Sequence, residues 1–153
     1  MYQTILVPMD GSKLAECVLP HVQTLVSGSQ AKRVIFARVV EPIYLPPGDY
    51  IFPEEQVRKM EAENKADAEN YIKDIVSRAK YDGARVEPAV LYGRAADTLA
   101  EFATKNRIDI IIIATHGRSG VSRWVWGSVA DRILRSSCVP VLMVRAPGCV
   151  PGI

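Results

Sequence analysis

The stretch Ile110–Ser128 reads IIIIATHGRSGVSRWVWGS, a short apolar strand followed by a glycine-bearing loop and the start of a helical pattern. Gly117, Gly120 and Gly127 allow positive φ and close backbone approach, so that amide groups can converge on an anion. Ser128 opens a helix whose N-terminal dipole also favours negative charge. The pattern therefore indicates a phosphate-binding loop at the edge of a parallel sheet.

The residues of this loop leave a second interpretation open, because glycines after a strand often serve only to turn the chain. Arg118 and Arg123 are placed to add charge-assisted hydrogen bonds to a bound anion. A Walker A loop is excluded, because no Gly-Lys-Ser/Thr triplet follows the strand. The dinucleotide fingerprint is excluded too, since its glycines follow the first strand of a sheet and not the fourth.

Composition narrows the classes of partner. The 153 residues include 19 Lys and Arg against 17 Asp and Glu, and the basic residues are scattered, unlike those of a nucleic-acid or membrane-surface binder. The longest apolar run, Ile108–Ala114, is far shorter than the roughly twenty residues of a membrane span. The N-terminus lacks an export signal, and three cysteines without C-x-x-C spacing suit reduced thiols. We expect a cytoplasmic protein with neither nucleic acid nor membrane as partner.

Apolar strand-like runs alternate with amphipathic helical stretches along the whole chain, which predicts βαβ units around a buried parallel sheet. A single domain over residues 1–146, with a short Pro/Gly tail at 147–153, accounts for the pattern. The predicted strands are Thr4–Pro8, Val34–Val40, Arg85–Leu91, Ile110–Thr115 and Val139–Val144. The first predicted helix begins near Ser12 and ends before Gly28. The other three predicted helices are Glu54–Tyr81, Ala95–Lys105 and Val129–Ser136.

Two prolines and one proline-rich passage refine this prediction. Pro20 lies inside the first predicted helix and should bend it. Pro88 lacks a backbone donor, which favours an edge position for the third strand. The passage Pro42–Pro53 has no helical period, and its aromatic content suggests that this long loop folds over part of the protein.

Ligands of open parallel sheets settle beyond the carboxyl ends of the strands, where the strand order reverses. The turns after the first and fourth strands are the candidates, and they bring Asp10 and the glycine loop to one crevice. This is the geometry of a mononucleotide, with Asp10 toward ribose or base. From its own residues the turn has a structural reading as well, since Asp10 and Ser12 could cap the first helix.

Four motifs resemble the universal stress protein A family, and the resemblance covers nearly the whole chain. They are ILVPMDGS at 5–12, ARVVEP at 37–42, IDIIIIATHGRSG at 108–120 and GSVADRILRSSCVPVLMV at 127–144. The resemblance implies an α/β fold with an open five-stranded parallel sheet of order 3-2-1-4-5 and helices on both faces, of the adenine nucleotide alpha hydrolase-like type. It also implies a homodimer that pairs through the last strand, Val139–Val144.

The ATP-binding branch of that family is marked by G-x2-G-x9-G-[S/T]. This chain has Ala114 at the first glycine and matches the other positions with Gly117, Gly127 and Ser128. The resemblance places Pro8, Asp10 and Val39 at the base and ribose, and the loop at the phosphates. The complete predicted set of cofactor-binding residues is Pro8, Asp10, Val39, Ala114, His116, Gly117, Arg118, Gly120, Gly127, Ser128 and Val129.

The expected cofactor is ATP, or AMP or ADP, with Mg²⁺ or Mn²⁺ held through the phosphates. The leading hypothesis is a stress-response or signalling module that binds the nucleotide, hydrolyses it slowly or not at all, and acts on an unknown protein partner. No catalytic and no metal-ligating residue is predicted, because His116 has no paired carboxylate or nucleophile nearby in the sequence. Two alternatives remain: a nucleotide-independent dimeric interaction protein, and a slow ATPase or self-phosphorylating protein.

Overall fold

A computed structural model describes residues 2–44, 53–115 and 128–145. The strands are β1 (Thr4–Pro8), β2 (Arg33–Val40), β3 (Arg85–Tyr92), β4 (Ile110–Ala114) and β5 (Val141–Val144). The helices are α1 (Leu19–Ser29), α2 (Glu54–Arg78), α3 (Ala95–Lys105) and α4 (Ser128–Ser136). Residues 45–52 of the long loop, the glycine loop at 116–127 and the tail at 146–153 lie outside the described residues.

The five strands form one parallel sheet in the order β3-β2-β1-β4-β5. This confirms the predicted fold class and strand order. It also confirms the edge position of β3, in which Pro88 needs no donor toward a second neighbour. From β1 the chain adds β2 and β3 toward one edge of the sheet, and from β4 it adds β5 toward the other edge. The strand order therefore reverses between β1 and β4.

Alternating side chains of the strands fill two apolar layers, because successive residues of a strand point to opposite faces. We call the layer between the sheet and α1 and α2 the first cluster; it contains Ile5, Val7, Val34, Phe36 and Ile112, with Val22 of α1 and Ile72 and Ile75 of α2. The second cluster lies between the sheet and α3 and α4; it contains Leu6, Ile35, Ala37, Ile111 and Ile113, with Leu99 of α3 and Ile133 of α4. A parallel sheet covered on both faces follows from these near-continuous apolar strands.

The amino ends of β1 and β4 are joined by a carboxylate. Asp109 Oδ2 accepts hydrogen bonds from the backbone amides of Gln3 (2.7 Å) and Thr4 (2.8 Å). The Asp109 amide in turn donates to the Thr4 carbonyl at 2.9 Å. The charged residue that interrupts the apolar run of the fourth strand therefore aligns the two central strands at the end of the sheet remote from the candidate site.

The first helix differs from the prediction. A 3-10 turn spans Ala15–Val18, and the α-helix begins only at Leu19 and continues through Gly28 to Ser29. The prediction that Pro20 bends the helix from inside is therefore wrong. Pro20 lies in the first turn of α1, where backbone amides lack intrahelical partners and a proline costs nothing.

The last strand begins two residues later than predicted, at Val141 and not Val139. Pro140 cannot donate a ladder hydrogen bond, although its carbonyl accepts one from the Ile111 amide at 2.9 Å. Within the described part of the chain, no helix is both long and apolar enough to cross a membrane.

Candidate functional site

The described candidate residues lie at the carboxyl ends of three adjacent strands. Pro8 ends β1 and is aligned with Ala37 of β2, and the Met9 amide extends this pairing by donating to the Ala37 carbonyl at 2.8 Å. Val39 is the penultimate residue of β2, and Ala114 ends β4. Because the strands are parallel, these positions lie at the same end of the sheet, where the carboxyl ends of the strands meet. They are next to the point where the strand order reverses, between β1 and β4.

Asp10 forms a hydrogen-bonded turn directly after β1. Its Oδ1 atom accepts hydrogen bonds from the Ser12 amide (2.9 Å) and the Ser12 hydroxyl (2.6 Å). The Ser12 Oγ atom accepts a hydrogen bond from the amide of Ala15, the first residue of the 3-10 turn, at 3.1 Å. The prediction that Ser12 caps the first helix is wrong, because the N-cap residue is Leu14 for the 3-10 turn and Val18 for α1, and neither makes a side-chain capping bond. Asp10 and Ser12 together form a side-chain-bonded turn between β1 and the 3-10 turn.

The side chain of Arg38 packs against this turn. Gly11, at the centre of the turn, has φ +87°, and a Cβ atom placed on it would lie 2.8 Å from an Arg38 terminal nitrogen and 3.0 Å from Arg38 Cζ. Arg38 Cζ also lies 5.4 Å from the centre of the Tyr71 ring, within the range of a cation–π interaction. The arginine of β2 therefore links the turn after β1 to α2.

Tyr71 itself is a neutral residue at physiological pH. Burial raises the pKa of Tyr71 to about 12, and the nearby carboxylates of Glu16 and Asp10 act in the same direction, against Arg38 and Arg78. Its hydroxyl oxygen is buried and has no hydrogen-bond partner among the described residues. The ring, and not the hydroxyl group, is the part of Tyr71 that contributes to the packing described here.

A second charged contact ties the same region to α2. Arg78 donates to Glu16 Oε2 at 3.3 Å from two guanidinium nitrogens, and also to Asp74 on its own helix. Glu16 belongs to the 3-10 turn that follows the Asp10–Ser12 turn. The segment after β1 thus contacts α2 directly through Glu16 and indirectly through Arg38 of β2.

The end of β2 is held to α3. Glu41 Oε1 accepts a hydrogen bond from the backbone amide of Ala95, the first residue of α3, at 2.9 Å. The Gly93 amide donates to the Val40 carbonyl at 3.1 Å. Val39 lies just before these contacts, and its side chain packs against the second cluster. These contacts hold in place the residue that the resemblance assigns to the base and ribose of the nucleotide.

Ala114 and Thr115 form the carboxyl end of β4. The Ala114 side chain packs against the first cluster. Thr115 is buried, and its amide donates to the Val144 carbonyl at 2.8 Å. The methyl group that replaces the first motif glycine is thus accommodated by the apolar layer under α1.

The helix α4 begins at Ser128, as the sequence pattern predicts. Val129 packs against the second cluster, as do the buried residues Ala130 and Ile133. Since α4 connects the carboxyl end of β4 to the amino end of β5, its N-terminus faces the same edge of the sheet as Asp10. An N-terminus at this edge is suited to a negatively charged group.

The remaining predicted residues, His116, Gly117, Arg118, Gly120 and Gly127, lie outside the described residues, as do Arg123 and both tryptophans. The structure therefore describes Pro8, Asp10, Val39, Ala114, the start of α4 at Ser128, and Val129. Sequence reasoning missed the contact of Arg38 with Gly11 and Tyr71. The available signal was Arg38 itself, a charged residue that interrupts the apolar run of β2 directly before Val39.

Comparison with known proteins gives consistent matches. The model of the universal stress protein family matches residues 1–145. Universal stress protein MJ0531 of Methanocaldococcus jannaschii is 28% identical over 148 residues, which cover 96% of this chain and 84% of that protein. The solved structure of MJ0577, a universal stress protein of the same organism, is 28% identical, has a TM-score of 0.79, and covers 97% of this chain and 99% of its own.

A further solved structure is informative about ligands of such proteins. It is a universal stress protein in complex with cAMP, 26% identical to this chain, with a TM-score of 0.68. The match covers 95% of this chain and 98% of that one.

Proposed function

The chain belongs to the universal stress protein family, and on that premise we propose that it binds an adenine nucleotide at the carboxyl edge of β1, β2 and β4. The observation that carries the proposal is the convergence of the Asp10 turn, Val39, Ala114 and the α4 N-terminus at the reversal point of the strand order. The relative solved with cAMP supports an adenine nucleotide as the class of ligand.

In the proposed arrangement, the phosphates lie at the α4 N-terminus and the glycine loop, and the ribose and base lie toward Asp10 and Val39. ATP is the proposed nucleotide, with AMP and ADP as the alternatives to be compared. Within residues 2–44, 53–115 and 128–145, no group of three or more His, Cys, Asp or Glu side chains is arranged to hold a metal ion. Any Mg²⁺ or Mn²⁺ is therefore proposed to arrive with the phosphates.

We propose that nucleotide occupancy changes the contacts that the protein makes with a protein partner, in a cytoplasmic homodimer that turns over nucleotide slowly or not at all. Phosphoryl transfer needs groups that hold a metal and orient a nucleophile. Asp10 follows β1 and Asp131 lies in the first turn of α4, and Asp10 already receives two hydrogen bonds from Ser12. Binding is thus better supported than catalysis.

The first experiment is to denature freshly purified protein, identify released nucleotide by chromatography and mass, and titrate the stripped protein with ATP, ADP, AMP and cAMP by calorimetry. Saturable micromolar binding of one of them is the expected result. Protein that is purified empty and gives no heat with any of the four would favour the nucleotide-independent interaction protein.

Asp10→Asn tests the site itself. The amide oxygen of asparagine can still accept the hydrogen bonds of Ser12, but the acceptor toward the ligand becomes an NH₂ donor. We expect nucleotide affinity to fall about tenfold or more, the usual loss for a hydrogen bond to a charged group, with little change in melting temperature. Asp67→Asn, the same change at an exposed residue of α2, is the control and should leave the affinity unchanged. An unchanged affinity in Asp10→Asn would remove Asp10 from the binding site.

A further inference from the structure

Arg38 is a charged residue next to the most deeply buried part of β2. It follows the buried residues 34–37 of β2, and its side chain is on the same face as the buried Phe36. A guanidinium group loses hydration in such a place and must gain contacts in return. The ring of Tyr71, 5.4 Å from Arg38 Cζ, provides one of them.

The second contact depends on a glycine. With φ +87°, Gly11 has a conformation that L side chains rarely adopt, and its missing Cβ leaves the space in which the Arg38 guanidinium lies, at 2.8–3.2 Å from the ideal Cβ position. The guanidinium group is thus close to both a glycine backbone and an aromatic ring. Lysine has the same charge but no planar group to make both contacts.

Gly11 is the central residue of the turn in which Asp10 bonds Ser12 and Ser12 bonds Ala15. A contact that displaces Gly11 would therefore also displace Asp10, its neighbour in this turn. We propose that Arg38 is a positioning residue for the nucleotide site: through its contacts with Tyr71 and Gly11, it fixes the turn that presents Asp10. This inference rests on the proposed function only where it concerns the nucleotide.

The contact with Gly11 is tested by a double-variant cycle. Gly11→Ala adds a methyl group that must displace Arg38, at a backbone position that is itself strained. Gly83→Ala is the matched control, because Gly83 has a similar φ of +79° but open space within 4 Å of its Cβ position. We expect Gly11→Ala to lower the melting temperature more than Gly83→Ala. Adding Arg38→Ala to each variant should lower it further in Gly83→Ala but not in Gly11→Ala; equal effects in both backgrounds would overturn the contact.

The positioning role is tested by local hydrogen exchange and by affinity. Arg38→Met, which keeps the apolar stem, should speed exchange of the Ser12 and Ala15 amides and weaken nucleotide binding, each about tenfold, as expected for loss of a partly buried cation–π contact. The Ile111 amide, which bonds Pro140 far from the turn, is the internal reference. Tyr71→Leu should reproduce the loss, and Tyr71→Phe, which retains the ring, should give a smaller effect than Tyr71→Leu.

The outcomes separate the two proposals. If the wild-type protein binds no nucleotide but Arg38→Met still speeds exchange at Ser12 and Ala15, the proposed function fails and the positioning of the turn by Arg38 stands. If the wild-type protein binds nucleotide and Arg38→Met changes neither the exchange nor the affinity, the positioning role of Arg38 is overturned while the binding function stands. If Arg38→Met lowers the stability but leaves the nucleotide affinity of the folded protein unchanged, the role of Arg38 is purely structural and the positioning proposal is also overturned.

Discussion

Ala114 ends β4 with a methyl group that packs against the first cluster, which includes Met9 and Ala15 after β1. Replacement by glycine removes this packing and adds backbone freedom to the unfolded chain. We expect Ala114→Gly to lower the free energy of unfolding by about 0.5–1 kcal/mol, measured by urea denaturation. Since the methyl group is already accommodated by the core, we expect the nucleotide dissociation constant to stay within about twofold, a difference well under 1.4 kcal/mol.

A large gain in affinity from Ala114→Gly would contradict this prediction. It would mean that the methyl group crowds the nucleotide, as its place in the family motif suggests. Ala89→Gly, at a half-buried position of β3 in the same sheet, is the control for the general cost of a glycine in a strand. Its stability should fall by a similar amount with no change in affinity.

Individual residues were predictable from sequence where their role is local. Asp10, Ser12 and Ala15 are joined by side-chain hydrogen bonds over two and three residues, a local relation that the Asp-Gly-Ser sequence indicates. The contact among Gly11, Arg38 and Tyr71 joins three elements that are distant in sequence, so no spacing rule could reveal it. A charged residue in the apolar run of β2, such as Arg38, does not by itself indicate its partner.

At the scale of elements, β2 and β3 are joined by a charged pair as well as by their backbone ladder. Arg33 donates to both carboxylate oxygens of Glu87, from Nε at 3.0 Å and from a terminal nitrogen at 2.8 Å. The hydrogen bonds from Arg33 lower the pKa of the Glu87 carboxyl below its ordinary value, with a further contribution from the charge of Arg85. A carboxyl whose pKa is lowered in the folded state stabilises the protein above its unfolded pKa, near 4.3.

This stabilisation should disappear as the pH falls from about 5 through the lowered pKa of Glu87. The wild-type protein should therefore lose more stability than Glu87→Gln between pH 6 and pH 3, by about 1 kcal/mol or less because the pair is partly exposed and screened. Urea unfolding across this range measures the difference. Glu101→Gln, which alters the exposed pair with Lys105, is the control and should follow the wild-type curve. Parallel curves for wild type and Glu87→Gln would show that the pair contributes nothing.

Elements were predictable from sequence as far as apolar periodicity determines them. All five strands and the later helices follow from it, and Pro88 indicated the edge position of β3. The first helix was predicted poorly, because a 3-10 turn and an α-helix present similar apolar spacing over one turn. Pro20 predicts a bend inside a helix, whereas the α-helix begins just before it.

At the scale of the whole molecule, the sheet has two unlike edges. β3 carries Pro88 and the charged residues Arg85 and Glu87, features that discourage further strand pairing. β5 is short and apolar, Leu142 is exposed, and within the described part of the chain no strand pairs with its outer side. The asymmetry supports β5 as the edge at which two copies of the chain would pair, with its first residue at Val141.

The backbone of β5 indicates which residue to change. The carbonyls of Pro140 and Val144 accept bonds from the β4 side, so by alternation the backbone groups of Val141 and Met143 point away from β4. Val141→Pro removes one outward amide without breaking a bond inside the sheet. We expect it to convert the proposed dimer to a folded monomer of about 16.9 kDa in light scattering after gel filtration. Val141→Ala loses more side-chain packing but keeps the amide, and should stay dimeric; if Val141→Pro is as dimeric as Val141→Ala, the copies pair through another surface.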